Sequence, residues 1–231
     1  EVTLLKPIAH IYTNIDGKFG VPRQSGVMPG LHGKIVFESE YRITEAFKGI
    51  EDFSHIWIIW EFSEAKDSTT SFAPTVRPPR LGGNKRMGVF ATRSPFRPNS
   101  LGLSVVKLEH IEISEKDGPI LHVSGIDMMN GTPILDIKPY IPYADSIPDA
   151  TSGFVTNLED LKLAVTFPAE LLSQIPAENH TELLQILSHD PRPQYQSDPE
   201  RLYALTYLGR DIKFKISDKS LTVVDVTSKQ A

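Results

Sequence analysis

The stretch LGLSVVKLEHIEISEKDGPILHVSGIDM (101–128) decides the fold. Its first part, 101–114, is rich in aliphatic and β-branched residues alternating with polar ones, the period of a strand with one buried face. Lys116-Asp117-Gly118 is a hairpin-turn signal, and 120–128 reads as the returning strand. The apolar phase of the first strand shifts between Leu108 and Ile111, which predicts a bulge that bends it. LLKPIAHIYT (4–13), GKIVFES (33–39), SHIWIIWEF (54–62) and RMGVFAT (86–92) have the same texture, each bounded by Gly, Pro, Asn or Asp. One short helix fits among them, RITEAFKGIEDF (42–53), with Thr44 as N-cap and Gly49 as stop. Six strands, few helices and long loops point to a mainly β chain and an antiparallel barrel rather than a doubly wound sheet.

After about residue 150 the texture changes. Two short amphipathic helices are predicted within 168–193, the second stopped at Asp190-Pro191. The segment 201–226 alternates apolar and polar residues through three strands turning at Gly209-Arg210 and Asp218-Lys219. The expected division is a β-barrel domain over 1–155 and a small α+β C-terminal domain over 156–231. With 40% hydrophobic and 23% charged residues the chain has the composition of a globular protein with a core. It has no cysteine, which excludes disulfides, a cysteine nucleophile and thiolate metal sites. No apolar run is long enough to cross a bilayer as a helix. The N-terminus lacks the pattern of a signal peptide, so a cytoplasmic protein without membrane partners is expected.

The chain is acidic, with 24 Lys+Arg against 29 Asp+Glu. Yet RPPRLGGNKRMGVFATRSPFRPNS (77–100) holds Arg77, Arg80, Lys85, Arg86, Arg93 and Arg97 and no acid. The acid-free interval runs from Ser68 to Leu108, where Lys107 is the seventh positive charge; the remaining chain has 17 positives against 29 negatives. Such segregation focuses attraction for an anion on one face. The competing reading is a set of solvated loop arginines.

Familiar catalytic patterns are missing. There is neither GxGxxG nor GxxxxGK[ST], and no Gly-x-Ser-x-Gly elbow. His10, His32, His55, His110, His122, His180 and His189 show no paired metal spacing, so no metal is expected. His55, before an apolar strand, reads as a hydrogen-bonded structural histidine. GVPRQSG (20–26) and GTPILDIKPYIPYADSIPDA (131–150) are rich in Pro and Gly beside polar side chains, and EFSEAK (61–66) puts polar residues at the tip of the third strand. Rigid loops of this kind pre-organise ligand groups, and each one alone also reads as a turn at a barrel end.

PTVRPPRLGGNKRMGVFATRSPFRPNSLGLS (74–104), VPRQ (21–24), FSHIWI (53–58), GTPILDIKPYIPYADSIPDA (131–150) and DPRPQY (190–195) resemble the TrmO (TsaA/YaeB) family over nearly the whole chain. The resemblance implies an S-adenosylmethionine-dependent tRNA (adenine-N6)-methyltransferase built on a single-sheet barrel. It implies a homodimer with cofactor sites near the subunit interface. The implied substrate is a threonine tRNA carrying N6-threonylcarbamoyladenosine beside the anticodon. A non-catalytic RNA-binding module on the same barrel is the alternative.

The matching cofactor-binding positions are Pro22, Arg23, Gln24, Ser63, Glu64, Arg93, Leu103, Asp136, Ile137, Lys138 and Pro139. Arg93 offers a bidentate fork to the cofactor carboxylate that a lysine cannot match, and Asp136 an acceptor for ribose or amino hydrogens. Asp136, Tyr140 and Tyr143 are the candidates for a general base. Arg77, Arg80, Lys85, Arg86 and Arg97 are the candidates for tRNA phosphates, and Phe96 stands between base stacking and a core position.

Overall fold

The computed structural model describes residues 3–17, 20–22, 24–63, 72–78, 85–155, 162–192 and 198–228. Six strands form the barrel: β1 (Ala9–Thr13), β2 (His32–Phe37), β3 (His55–Glu61), β6 (Leu101–Ser114), β7 (Gly118–Ser124) and β8 (Pro133–Pro139). Between β3 and β6 lies a short ribbon, β4 (Thr75–Val76) paired with β5 (Met87–Gly88). The barrel order is β1-β2-β7-β6-β3-β8, and the pair Ala9↔Ile134 closes it antiparallel. Closure joins the first and last strands of the sheet instead of leaving two free edge strands.

Period-2 patterning fills the inside. Ile56, Ile58 and Trp60 of β3 are buried, as are Gly102, Ser104, Val106 and Leu108 of β6, each alternating with an accessible residue. Ala9, Ile11, Ile35, Leu121, Val123 and Ile134 complete the lining at 1% exposure or less. Trp60 donates its indole N–H to Ser104 Oγ at 2.9 Å within this core. Gly102 makes room for that ring, since a Cβ there would stand 2.1 Å from Trp60 Cε2. The buried alternation of β6 ends at Leu108, beyond which Glu109 and His110 are exposed. The hairpin turns at Gly118, whose φ of +67° is the left-handed conformation glycine adopts readily.

Three expectations need correction. The predicted helix over 42–53 is two 3₁₀ turns, Thr44–Phe47 and Ile50–Asp52, separated by Gly49 at φ +89°. The predicted strand 86–92 keeps only Met87–Gly88; Val89–Ala91 is a 3₁₀ turn closed by Thr92 Oγ1 donating to the Val89 carbonyl at 2.8 Å. The stretch 131–150, read as a loop, contains barrel strand β8. Its prolines misled: Pro133 and Pro139 sit at the strand's two ends, where proline is tolerated in a sheet.

The second sheet has the order β10 (Tyr203–Tyr207), β11 (Arg210–Ser217), β12 (Ser220–Ser228) and β9 (Ala164–Thr166). The β11–β12 hairpin turns at Asp218-Lys219 as expected. The β10–β11 hairpin turns at Leu208-Gly209, one residue before the expected Gly209-Arg210, and β9 adds a parallel edge that sequence pattern did not indicate. Helices α2 (Ala169–Leu172) and α3 (His180–Ser188) match the two predicted, with Leu183, Ile186 and Leu187 fully buried. Before them, after β8, comes α1 (Pro142–Asp145). No helix among the described residues is long and apolar enough to cross a membrane.

Two compact units emerge, and neither is a single stretch of sequence. The first comprises 1–12, 34–123 and 131–159; the second comprises 13–33, 124–130 and 160–231. The second is organised around buried Glu182 on α3. Its Oε1 accepts from Tyr207 Oη at 2.6 Å and Asn14 Nδ2 at 3.0 Å, and its Oε2 from the His32 N–H at 3.1 Å. Burial, and then this carboxylate, push the Tyr207 hydroxyl far above the ordinary tyrosine range.

Candidate functional site

The outer face of β6-β3-β8 collects several of the sequence-predicted residues. Registers place Leu103 and Asp136 on either side of Ile59, and Val105 and Lys138 on either side of Trp57. At the spacing of neighbouring strands this sets Leu103 and Asp136 ~10 Å apart across one row. Leu103 is 58% exposed, a large apolar side chain presented to solvent on a strand whose alternate residues fill the barrel.

A bulge puts Asp136 on that face. Ile59 pairs with Asp136, but Trp60 pairs with Ile134, so β8 carries one extra residue, Leu135, at this point. Strict alternation would send Ile134 and Asp136 to the same side. The extra residue lets Ile134 be fully buried while Asp136 stays accessible. Asp136 Oδ1 accepts the Ile137 N–H at 2.9 Å and Oδ2 lies 3.5 Å from Lys138 Nζ, an arrangement suited to holding a ligand group in a fixed direction. Ile137 pairs with inward-facing Ile58, so its side chain is on the other side of the sheet from Asp136 and Lys138. Pro139 ends the strand opposite Ile56.

The chain after β8 folds back over this face. Tyr140 donates its N–H to the His55 carbonyl at 3.0 Å, and its ring lies 5.9 Å from that of Trp57. Asp145, at the end of α1, accepts from the Trp57 indole N–H and from the Ile141 N–H, both at 2.9 Å. The Ile141 bond, then the indole bond, hold the Asp145 carboxyl below its ordinary value of 3.8. No local pattern marks this clasp, because Trp57 and Asp145 are 88 positions apart. Tyr143, on the same turn, is 92% exposed.

A depressed carboxyl makes a contribution that is present above pH 3.8 and lost as pH falls through the lower folded-state value. Acid titration of Trp57 fluorescence is therefore expected to show a midpoint below 3.8 in the wild type. Asp145→Asn should abolish that step, while Trp60, sealed inside the barrel, contributes a constant background. A midpoint at or above the ordinary value would contradict the clasp.

Arg93 is exposed on the loop that follows the Val89–Ala91 turn. Its neighbours are fixed: Thr92 Oγ1 accepts from the Ser94 N–H at 3.3 Å, and Ser94 Oγ from the Phe96 N–H at 3.2 Å. Arg97 is half-buried, and its Nη1 donates to the carbonyls of Thr92 at 2.9 Å and Ser94 at 3.4 Å. It braces the loop that displays Arg93, a role the sequence did not reveal. Ser63 is exposed just past β3, where Phe62 bonds Ser100. Pro22 is buried and Gln24 half-buried in the second unit. Arg23, Glu64 and Arg80 lie outside the described residues.

Arg77, Lys85 and Arg86 are exposed around the β4–β5 ribbon, and Arg86 Nη1 donates to Thr75 Oγ1 at 2.9 Å. Phe96 is 62% exposed, which removes the core reading for it. His55 is half-buried with Nδ1 2.8 Å from Ser54 Oγ, as expected of a structural histidine. No group of three metal-ligating side chains occurs among the described residues. The outer face of β6-β3-β8 thus brings together Leu103, Asp136 and Lys138, while Arg93 lies on the separate loop after the Val89–Ala91 turn.

The tRNA-methyltransferase O N-terminal domain model matches residues 10–146, and the TrmO C-terminal domain model matches 160–229. A tRNA (adenine(37)-N6)-methyltransferase from Escherichia coli (strain K12) is 39% identical over 214 residues, covering 89% of this chain and 90% of that protein. A Pseudomonas aeruginosa relative whose name describes an S-adenosylmethionine-dependent methyltransferase is 38% identical over 218 residues, covering 90% of each. The crystal structure of TrmO from Pseudomonas aeruginosa superposes with a TM-score of 0.76 at 31% identity, covering 99% of this chain and 100% of that one. The chain belongs to the tRNA-methyltransferase O family.

Proposed function

We propose that the adenine this tRNA methyltransferase modifies already carries a threonylcarbamoyl group on N6, beside the anticodon of threonine tRNA. The observation that carries the reading is the acid-free interval 68–108 in a chain of net charge −5. The modified base adds a threonine carboxylate to the phosphates around it, and this interval has no acid to repel either. Arg77, Arg80, Lys85 and Arg86 are assigned to phosphates, and Arg97 to bracing the loop as well.

S-adenosylmethionine, when bound, supplies an activated methyl on a sulfonium leaving group. The chain's share is alignment and exclusion of water, for which effective molarities reach ~10⁵–10⁸ M. Arg93 pairs with the donor's carboxylate, Leu103 covers its ring, and Asp136 and Lys138 hold its polar groups. Pro22, Arg23, Gln24, Ser63, Glu64, Ile137 and Pro139 complete the binding set. N6 gains the methyl and loses a proton, and the base that takes it is Asp136, Tyr140 or Tyr143. The protein acts as a homodimer, with cofactor sites near the subunit interface, in the cytoplasm where its tRNA is matured.

The test is transfer of labelled methyl to tRNA from a strain lacking the gene. Label is expected in threonine tRNA that carries the carbamoyl modification and not in its unmodified transcript. Folded protein that leaves the modified tRNA unlabelled would favour the RNA-binding module instead. Arg93→Ala is expected to weaken cofactor binding about 10- to 100-fold by calorimetry, the loss of one charge-assisted hydrogen-bonding partner. Arg77→Ala with Arg86→Ala should leave cofactor affinity unchanged and reduce the salt slope of RNA binding by roughly 0.7 per phosphate lost.

A further inference from the structure

Phe72 and Phe90 have no part in the reaction described above. They are 56% and 74% exposed, and their rings stack with centroids 6.3 Å apart and planes 28° apart. Rings of this size ordinarily dominate cores and interfaces. Here they stand at one end of the β4–β5 ribbon: Phe72 precedes Thr75 by three residues and Phe90 follows Gly88 by two. The Val89 N–H donates to the Pro74 carbonyl at 2.9 Å and fixes the chain between them. Arg77 and Arg86 lie just past the Val76↔Met87 pair at the other end. At ~3.3 Å per residue, rings and cations are separated by on the order of 13 Å along one ribbon.

We propose that Phe72 and Phe90 form a stacking platform for unpaired bases of the RNA, with Arg77 and Arg86 on flanking phosphates. The proposal rests on the tRNA reading above. Every base has a π-face, so stacked aromatics beside a cationic track bind single-stranded RNA while discriminating against paired RNA. A protein partner would call for a wider apolar surround. The residues flanking the rings are small, Ala73, Pro74, Gly88 and Ala91, and beyond them come Arg77, Lys85 and Arg86.

The experiment compares fluorescein-labelled anticodon stem-loop RNA of threonine tRNA with a fully paired duplex of the same length. Phe72→Ala and Phe90→Ala are each expected to weaken stem-loop binding about 5- to 100-fold. Duplex affinity should hold, and so should the salt slope, because stacking releases no counterions. Phe90→Tyr should keep stem-loop affinity, whereas Phe90→Leu, apolar without a π-face, should lose it. Unchanged stem-loop affinity, equal losses on the duplex, or a leucine variant as good as wild type would overturn the platform. A fall in mass by light scattering would overturn it too, by assigning the rings to a subunit contact. Wild-type protein that binds neither RNA would bring down the tRNA reading together with the platform. Wild-type binding with unaffected variants would sink the platform alone.

Discussion

Gly102→Ala is expected to destabilise the barrel by about 3–5 kcal/mol, a drop in Tm on the order of 10 °C. A methyl group at this position would overlap the Trp60 ring at 2.1–2.5 Å, inside a closed barrel where the ring cannot swing out to solvent. Relief would move the indole and break its bond to Ser104 Oγ, leaving two buried polar groups without each other. The next residue on the strand is Leu103, one of the positions proposed to hold the cofactor, so the same substitution tests that proposal as well. Urea unfolding checks the cost. On a Trp60→Leu background the same substitution should add little, since the clashing ring is gone. Additive costs would show that the strand, not the ring, resists the methyl group.

Glu182→Ala is expected to cost about 3–5 kcal/mol in the second unit. It deprives the buried Tyr207 hydroxyl and the part-buried Asn14 amide and His32 N–H of one shared acceptor. Glu182→Gln should cost less, about 1–3 kcal/mol, because its carbonyl keeps one side of the network while its NH₂ opposes a donor on the other. Tyr207→Phe removes one donor and keeps the carboxylate, so it should be the mildest of the three. If Ala and Gln variants unfold at the same denaturant concentration, the carboxylate is not the hub that the geometry indicates.

The barrel was legible where alternation was clean. Leu101–Ser114 and its Asp-Gly turn were readable because Gly102, Ser104, Val106 and Leu108 alternate without interruption. β8 was not, because two prolines and a bulge break the period, and the bulge is also what turns Asp136 outward. The helix over 42–53 failed for a local reason: Gly49 takes a left-handed φ that no continuous helix accommodates. Side-chain chemistry was visible as residue type but not as partnership. Arg97 and Arg93 looked alike in sequence; the structure makes Arg97 half-buried, held to the carbonyls of Thr92 and Ser94, and leaves Arg93 solvent-exposed. Asp145 and Trp57 meet across 88 positions, a distance that single-sequence periodicity does not span.

The interleaving of the two units has a consequence for how the chain is made. Residues 13–33 belong with α3 and the β10–β12 sheet, yet they leave the ribosome some 150 residues earlier. At ~5–20 residues per second, Asn14 and His32 wait roughly eight to thirty seconds for the carboxylate that they serve. During that interval the loop between β1 and β2 is a loose end of a barrel that is already gaining its strands. The order of synthesis therefore favours closing the first unit before the second can exist, and a translation arrest after β8 would leave the early segment exposed to proteases.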